Sequence, residues 1–379
     1  SQGAPFSSNV ADRRCGNNPS IRLLHMKPLA PTDNVVWDTA TLRKVNQLQY
    51  FSGSWEISDT ITAAGFSAVG WFFANKVQEA LKVPVGIIEV AVGGSTTESW
   101  IDRFTMEQDA SLTDELYRWR SSGFYQSWCR QRADTNLKNS ISPLQRHPYD
   151  PCYNYEAGIR LFSAYPIQGV IWYQGESNTH NVEQHDLLLP ALVSSWRKQW
   201  NRQFPFYYVQ LSSINRPSWP VFREHQLELL KKIPRSGMAV SSDMGDSTNV
   251  HPRRKKEVGE RLAVLALHFT YQQQQVVPYG PMPLKATISK YQIKIAFRYA
   301  GKQLKTSDGS ALRGFVVEDD KGRVQPVKAI IAQNKIIIPL PGYSTAVKVS
   351  YGHEPFTRAN LLNDAGLPAP NFSLNLNKQ

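Results

Sequence analysis

Cysteine is scarce in this chain: 379 residues carry three, Cys15, Cys129 and Cys152. No two of them form a C-x-x-C pair, which excludes a disulfide-dense scaffold and the usual thiolate metal sites. Long apolar runs are missing as well. No stretch approaches the roughly 18 apolar residues in a row that mark a transmembrane helix. The opening Ser1-Gln2-Gly3-Ala4-Pro5 has neither the basic nor the apolar region of a signal peptide, so none is present in this numbering. Internal repeats and low-complexity tracts are absent, so nothing suggests a solenoid or a disordered tail. Acidic residues are in the minority, 31 against 43 Lys and Arg, for a net charge of +12. The basic residues are spread along the chain, and the one dense run, Arg253-Arg254-Lys255-Lys256, opens a helical pattern. A solvated helix face explains such a run better than nucleic acid does. An acidic sugar as substrate fits the charge, but charge alone cannot select it.

What is present is enough apolar material for a real core: 41% hydrophobic and 11% aromatic residues,. Cys129 and Cys152 flank a polar, proline-containing stretch. A disulfide there would contribute about 3 kcal/mol; two free thiols are the equal alternative, and Cys15 is left over either way.

Apolar spacing predicts a helix over residues 66–81, stopped by Val83-Pro84. Residues 85–92 then read as a buried strand ending in Gly93-Gly94-Ser95. A helix over 155–162, a strand over 169–172, a helix over 187–200 and strands over 206–211 and 238–242 follow. Apolar strands alternating with helices predict an α/β fold, its mainly parallel sheet covered on both faces. In such sheets ligands bind at the carboxyl ends of strands, which here means Gly93, Gln174 and Asp243. After Tyr271 the texture changes. Residues 272–275 and the proline-rich 278–283 read as a linker, followed by alternating strands over 291–299, 314–318, 335–340 and 346–351. The domains expected are 1–277 and a β-rich 284–379.

Two segments could carry chemistry. In residues 170–178, VIWYQGESN, a strand delivers a turn where Gln174, Glu176 and Asn178 can hydrogen-bond a substrate, though a capped strand-to-helix turn would look the same. In residues 242–252, SDMGDSTNVHP, His251 sits on a loop before a proline-led helix, with Asp243 and Asp246 close by. That context suits a general base whose tautomer a carboxylate holds.

GGSTTESW, VIWYQGESN and DMGDSTNVHPRRKKEVGERLA, in this order, resemble the sialate O-acetylesterase family of SGNH hydrolases. NYEAGIRLFSAYPIQGVIWYQGESN and the closing AVKVSYGHEPFTRANLLNDAGLPAPNF add to the likeness, which runs from about Ile21 to Phe372. The resemblance implies a three-layer, flavodoxin-like hydrolase domain with a small C-terminal β-rich domain. It implies serine-esterase removal of O-acetyl groups from sialic acids, with acetylated xylan or xyloglucan as the alternative substrate. No metal or organic cofactor, no nucleic acid and no membrane span are implied, and the expected location is periplasmic or secreted. By position, His251 matches the base, and Gly94 (or Gly93) and Asn178 match the oxyanion-hole donors. Ser177 falls beside the oxyanion asparagine rather than in a G-x-S-x-G elbow. Two departures stand out. Where relatives carry an acid shortly before the histidine, this chain has Thr248 and Asn249, so Asp246, Asp243 or a backbone carbonyl must orient His251; Asp246 is preferred because Gly245 can turn it back. The family's Gly-Gln-Ser-Asn block with the nucleophile is also missing, which leads to the expectation of a serine on a segment upstream of Ser1, or of a carbohydrate-binding homologue without one.

Overall fold

A computed structural model describes residues 16–289, 291–340 and 345–378. Cys15 and the N-terminal segment before it lie outside the described residues. The order of elements is β1 (Asn18–Pro28), α1 (Thr39–Asn46), β2 (Phe51–Ser52), β3 (Trp55–Ser58), α2 (Thr60–Gly65), α3 (Ala68–Leu81), β4 (Val85–Val90), α4 (Arg103–Gln108), α5 (Ser127–Asn136), α6 (Tyr153–Ala157), β5 (Val170–Trp172), α7 (Val182–Gln199), β6 (Phe206–Gln210), α8 (Trp219–Lys232), β7 (Ser236–Val240) and α9 (Lys255–Leu265). Among the described residues ten strands follow: β8 (Met282–Ile288), β9 (Gln292–Arg298), β10 (Lys305–Thr306), β11 (Phe315–Asp319), β12 (Val324–Pro326), β13 (Ile330–Ala332), β14 (Lys335–Pro339), β15 (Ala346–Tyr351), β16 (Leu361–Leu362) and β17 (Phe372–Lys378). The chain is α/β with a β-rich C-terminal region, as expected.

Sequence reading passed over β1. Its Arg22, His25 and Lys27 interrupt any clean alternation, yet Ile21, Leu23, Leu24 and Met26 are buried. It pairs in parallel with β4, from Ile21↔Val85 to Met26↔Val90, and antiparallel with β3. Ile21 and Leu23 pack on Phe66, Trp71 and Phe72 of the α3 region. Each such side chain contributes roughly 1.5–3 kcal/mol by leaving water. At the start of α3 the Ser67 hydroxyl accepts from the Gly70 amide at 3.1 Å, and the Ser67 amide donates to Glu89 of β4 at 2.8 Å. Lys82, in the left-handed region at φ 58°, closes the helix, and Pro84 forbids its continuation.

The strands differ in depth. β6 is buried along its whole length, between β5 and β7 in a three-stranded sheet. β4 was expected to be buried on both faces but is only partly covered, because among the described residues its pairing partner is β1 alone. The helix expected over 155–162 is two short pieces, α6 and a 3₁₀ turn at Ile159–Phe162. α8 was not anticipated, and no helix among the described residues is long and apolar enough to cross a membrane.

Two compact units emerge. Among the described residues, one holds 16–208 with Lys231–Gly237 and Arg254–Ala263; the other holds Val209–Leu230, Met238–Arg253 and those that follow Ala263. The second contains an eight-stranded sheet in the order β12-β11-β15-β17-β8-β9-β14-β13. β8 begins inside the stretch read as linker: Pro283 opposes Phe297 next to a register shift, an irregularity that accommodates a residue without an amide hydrogen. In the same unit the buried Arg223 guanidinium donates to the carbonyls of Gly352, Glu354 and Pro355, and among the described residues it has no carboxylate partner. Burial pushes its pKa down to about 9.

Candidate active site

Within the first unit, the carboxyl ends of β4 and β5 each deliver a polar turn. After β4 come Gly93, Gly94 and the 3₁₀ turn Thr97–Trp100; after β5 come Gln174 and the turn Glu176–Asn178. Side chains of the two turns are knitted together. Asn178 Oδ1 accepts from the Thr97 amide at 3.0 Å and from Gln174 Nε2 at 2.9 Å. The Thr97 hydroxyl donates to Gln174 Oε1 at 2.9 Å. Asn178 Nδ2 donates to Glu98 Oε2 at 2.8 Å. These partners fix which way the Asn178 amide faces. Nδ2 makes no second hydrogen bond among the described residues.

Gln174 was read as a substrate contact. Both of its amide hydrogens are in use, one on Asn178 and one on the Ser95 carbonyl at 3.1 Å. In this structure it holds Asn178. Glu176 is half-buried; burial raises its carboxyl pKa, and the Lys255 ammonium pulls it back. Lys255 is itself buried, its ammonium 5.6 Å from the Tyr173 ring centre, and burial lowers its pKa to about 8 against the pull of Glu176.

Gly94 sits at φ 77°. A Cβ there would come within 2.5 Å of the Tyr149 hydroxyl and 3.1 Å of the Trp128 ring, so only glycine fits. Its carbonyl accepts from the Ser177 hydroxyl at 3.0 Å. The Gln126 amide donates to the carbonyls of Glu176 and Ser177, tying α5 to the same turn. Cys129 and Cys152 are free and buried, which decides between the two readings of that pair. Burial pushes each thiol up to about 12.

His251 and Asp246 belong to the second unit. Asp246 Oδ1 accepts from the Thr248 amide at 2.8 Å, the Asn249 amide at 3.0 Å and the Thr248 hydroxyl at 3.0 Å. These bonds, the Thr248 amide foremost, lower its pKa. Asn249 Oδ1 in turn accepts from the His251 amide at 2.9 Å, and the His251 side chain is exposed. Gly245 lies so close to Ser213 that a Cβ would fall 2.0 Å from its carbonyl oxygen, which anchors the start of this loop.

Sequence reading missed Thr97, Glu98 and Glu115. Glu98 left a trace, an acid among small residues just after a buried strand. Glu115, on the turn Thr113–Leu116, left none.

Comparison with known proteins identifies the family. A family model described as carbohydrate esterase, sialic acid-specific acetylesterase, matches residues 54–268, more than half of the chain. The sialate O-acetylesterase of Rattus norvegicus is 30% identical over 252 residues, covering 58% of this chain and 45% of its own. The human sialate O-acetylesterase is 29% identical over 243 residues, covering 58% and 42%. The chain thus spans less than half the length of either relative. The crystal structure of a carbohydrate acetylesterase from Xanthomonas citri superimposes with a TM-score of 0.74 at 25% identity, covering 98% of this chain and 77% of that one. The chain belongs to the carbohydrate esterase family of sialic acid-specific acetylesterases.

Proposed function

We propose that this protein hydrolyses acetyl esters on a carbohydrate, removing O-acetyl groups from sialic acids. The observation that carries the reading is the Asn178 amide, locked by Thr97, Gln174 and Glu98 with one hydrogen left over. A donor held in place before charge develops is what an oxyanion hole needs, and one such donor is worth about 3–4 kcal/mol.

In this reading Asn178, with the Gly94 turn, receives the oxyanion. His251 is the base that takes the proton of the attacking serine, then protonates the sugar alkoxide and activates water for deacylation. Asp246 holds the loop that carries His251, and Asp246, Asp243 or a backbone carbonyl orients the imidazole. The net charge of +12 suits an acidic sugar. The same proposal puts the protein in the periplasm or outside the cell, which fractionation of the producing cells checks.

The test is acetate release from an O-acetylated sialic acid, acetylated xylan and acetylated xyloglucan, measured side by side. Release from the sialic acid ahead of the others is expected. Release from hemicellulose alone changes the substrate class. Saturable sugar binding without acetate from any of them overturns the esterase reading in favour of a carbohydrate-binding role.

A further inference from the structure

Two glutamates lie buried behind Asn178: Glu98 is 1% exposed and Glu115 0%. Two carboxylates placed together away from water lose hydration and repel each other, so one of them keeps its proton. Their surroundings say which. Glu98 Oε2 accepts from Asn178 Nδ2 at 2.8 Å, and the Glu115 side chain is close enough to Glu98 for each to shift the other's titration. Glu115 Oε1 accepts from Gln184 Nε2 at the start of α7, while its Oε2 meets no donor among the described residues. A buried oxygen without a donor, facing a carboxylate, is satisfied when it carries the proton itself.

We propose that Glu98 and Glu115 share one proton, with Glu115 as the acid donating from Oε2 to Glu98, and that the Glu98 carboxylate thereby aims the Asn178 amide. Both glutamates are positioning residues, and their effect on turnover rests on the function proposed above; the proton sharing does not. Burial, with the neighbouring Glu98 charge second, pushes Glu115 up to about 9 and raises Glu98 too. The other titratable groups facing the pair are the Tyr125 hydroxyl and the Cys129 thiol, both raised by burial. The His185 imidazole of α7 stands 3.5 Å from the Thr97 hydroxyl.

The pair is read directly by infrared difference spectroscopy and by thermal stability against pH. Wild type near neutral pH should show a carboxylic acid carbonyl band that Glu115→Gln removes, since the amide keeps the donor to Glu98 without a proton to lose. Glu115 has its folded pKa raised above the unfolded value of 4.5. Its stabilisation is therefore complete below 4.5 and is lost as pH rises through about 9,. Glu115→Gln should flatten that decline, and His185→Gln should leave it in place. A wild type without the band, or a decline abolished by His185→Gln instead, overturns the proposal by placing the proton on the imidazole. With an acetylated sugar, Glu115→Ala should lower kcat about tenfold with little change in KM, and Glu115→Gln should recover most of it. Equal losses in both variants remove the positioning role. If wild type releases no acetate, the proposed function fails, while the band and the stability profile still decide the pair.

Discussion

The Ser177 hydroxyl donates to the Gly94 carbonyl at 3.0 Å, so the serine in the Gly-Glu-Ser-Asn turn spends its proton on fastening one polar turn to the other. Its neighbour Asn178 has a donor to spare. The two should therefore respond very differently to truncation. Asn178→Ala should lower kcat by about a hundredfold or more, and Ser177→Ala should cost far less. Steady-state kinetics on an acetyl ester decides it, and the opposite order would make Ser177 the nucleophile.

Gly94→Ala should be among the most disruptive small changes in the first unit. It combines a left-handed backbone with a Cβ thrust against Tyr149 and Trp128. Together these cost roughly 2–4 kcal/mol. Urea denaturation should show a lowered midpoint, and acetyl ester turnover should fall with it.

His251→Ala tests the base. The side chain is exposed, so the variant should unfold at the wild-type urea midpoint while kcat drops by several orders of magnitude. Near wild-type turnover would remove His251 from the mechanism.

His147 predicts acid sensitivity. It is fully buried and stacked on Trp37 with ring centres 5.1 Å apart. Nε2 lies 3.0 Å from Asn136 Oδ1, and Nδ1 accepts from the Tyr149 amide at 3.0 Å. Both nitrogens are therefore satisfied by the neutral ring. Burial lowers its pKa to about 3 from 6.5. The sign follows: a depressed folded pKa means the stabilisation is complete above 6.5 and fades as pH falls toward about 3,. Within that window the group removes on the order of 1.4 kcal/mol per pH unit. His147→Gln should show a shallower acid limb in denaturant melts, and an unchanged limb would assign the sensitivity elsewhere.

Cys129 and Cys152 should resist alkylation in the folded protein, because both are buried and their thiolates are suppressed,. Iodoacetamide followed by mass spectrometry should find both unmodified under native conditions and both modified in urea. A disulfide-linked peptide pair would contradict the free thiols.

Periodicity located α3, β5, β6, β7 and four of the C-terminal strands, β9, β11, β14 and β15, to within a few residues, because their apolar spacing is set locally. It failed at β1, where Arg22, His25 and Lys27 are interspersed with the apolar residues and Ile21 and Leu23 meet the α3 region, a partner that local spacing cannot reveal. It failed again at Met282–Ile288, where proline suggested a linker and pairing with β9 made a strand. Among candidate site residues, the loop context pointed to His251, and the family resemblance added Asn178 and Gly94 (or Gly93).

The sequence by itself determined the family, through its motifs and their order, and the α/β class, since apolar strands alternating with helices leave a pattern along the chain. Only the tertiary structure decided what each polar group does there. It committed Gln174 to Asn178, Ser177 to Gly94 and Asp246 Oδ1 to its own loop, left Cys129 and Cys152 free, and buried Glu115 near Glu98. Hydrogen-bond capacity is consumed by neighbours distant in sequence, and burial sets protonation, so neither can be read until the chain has folded.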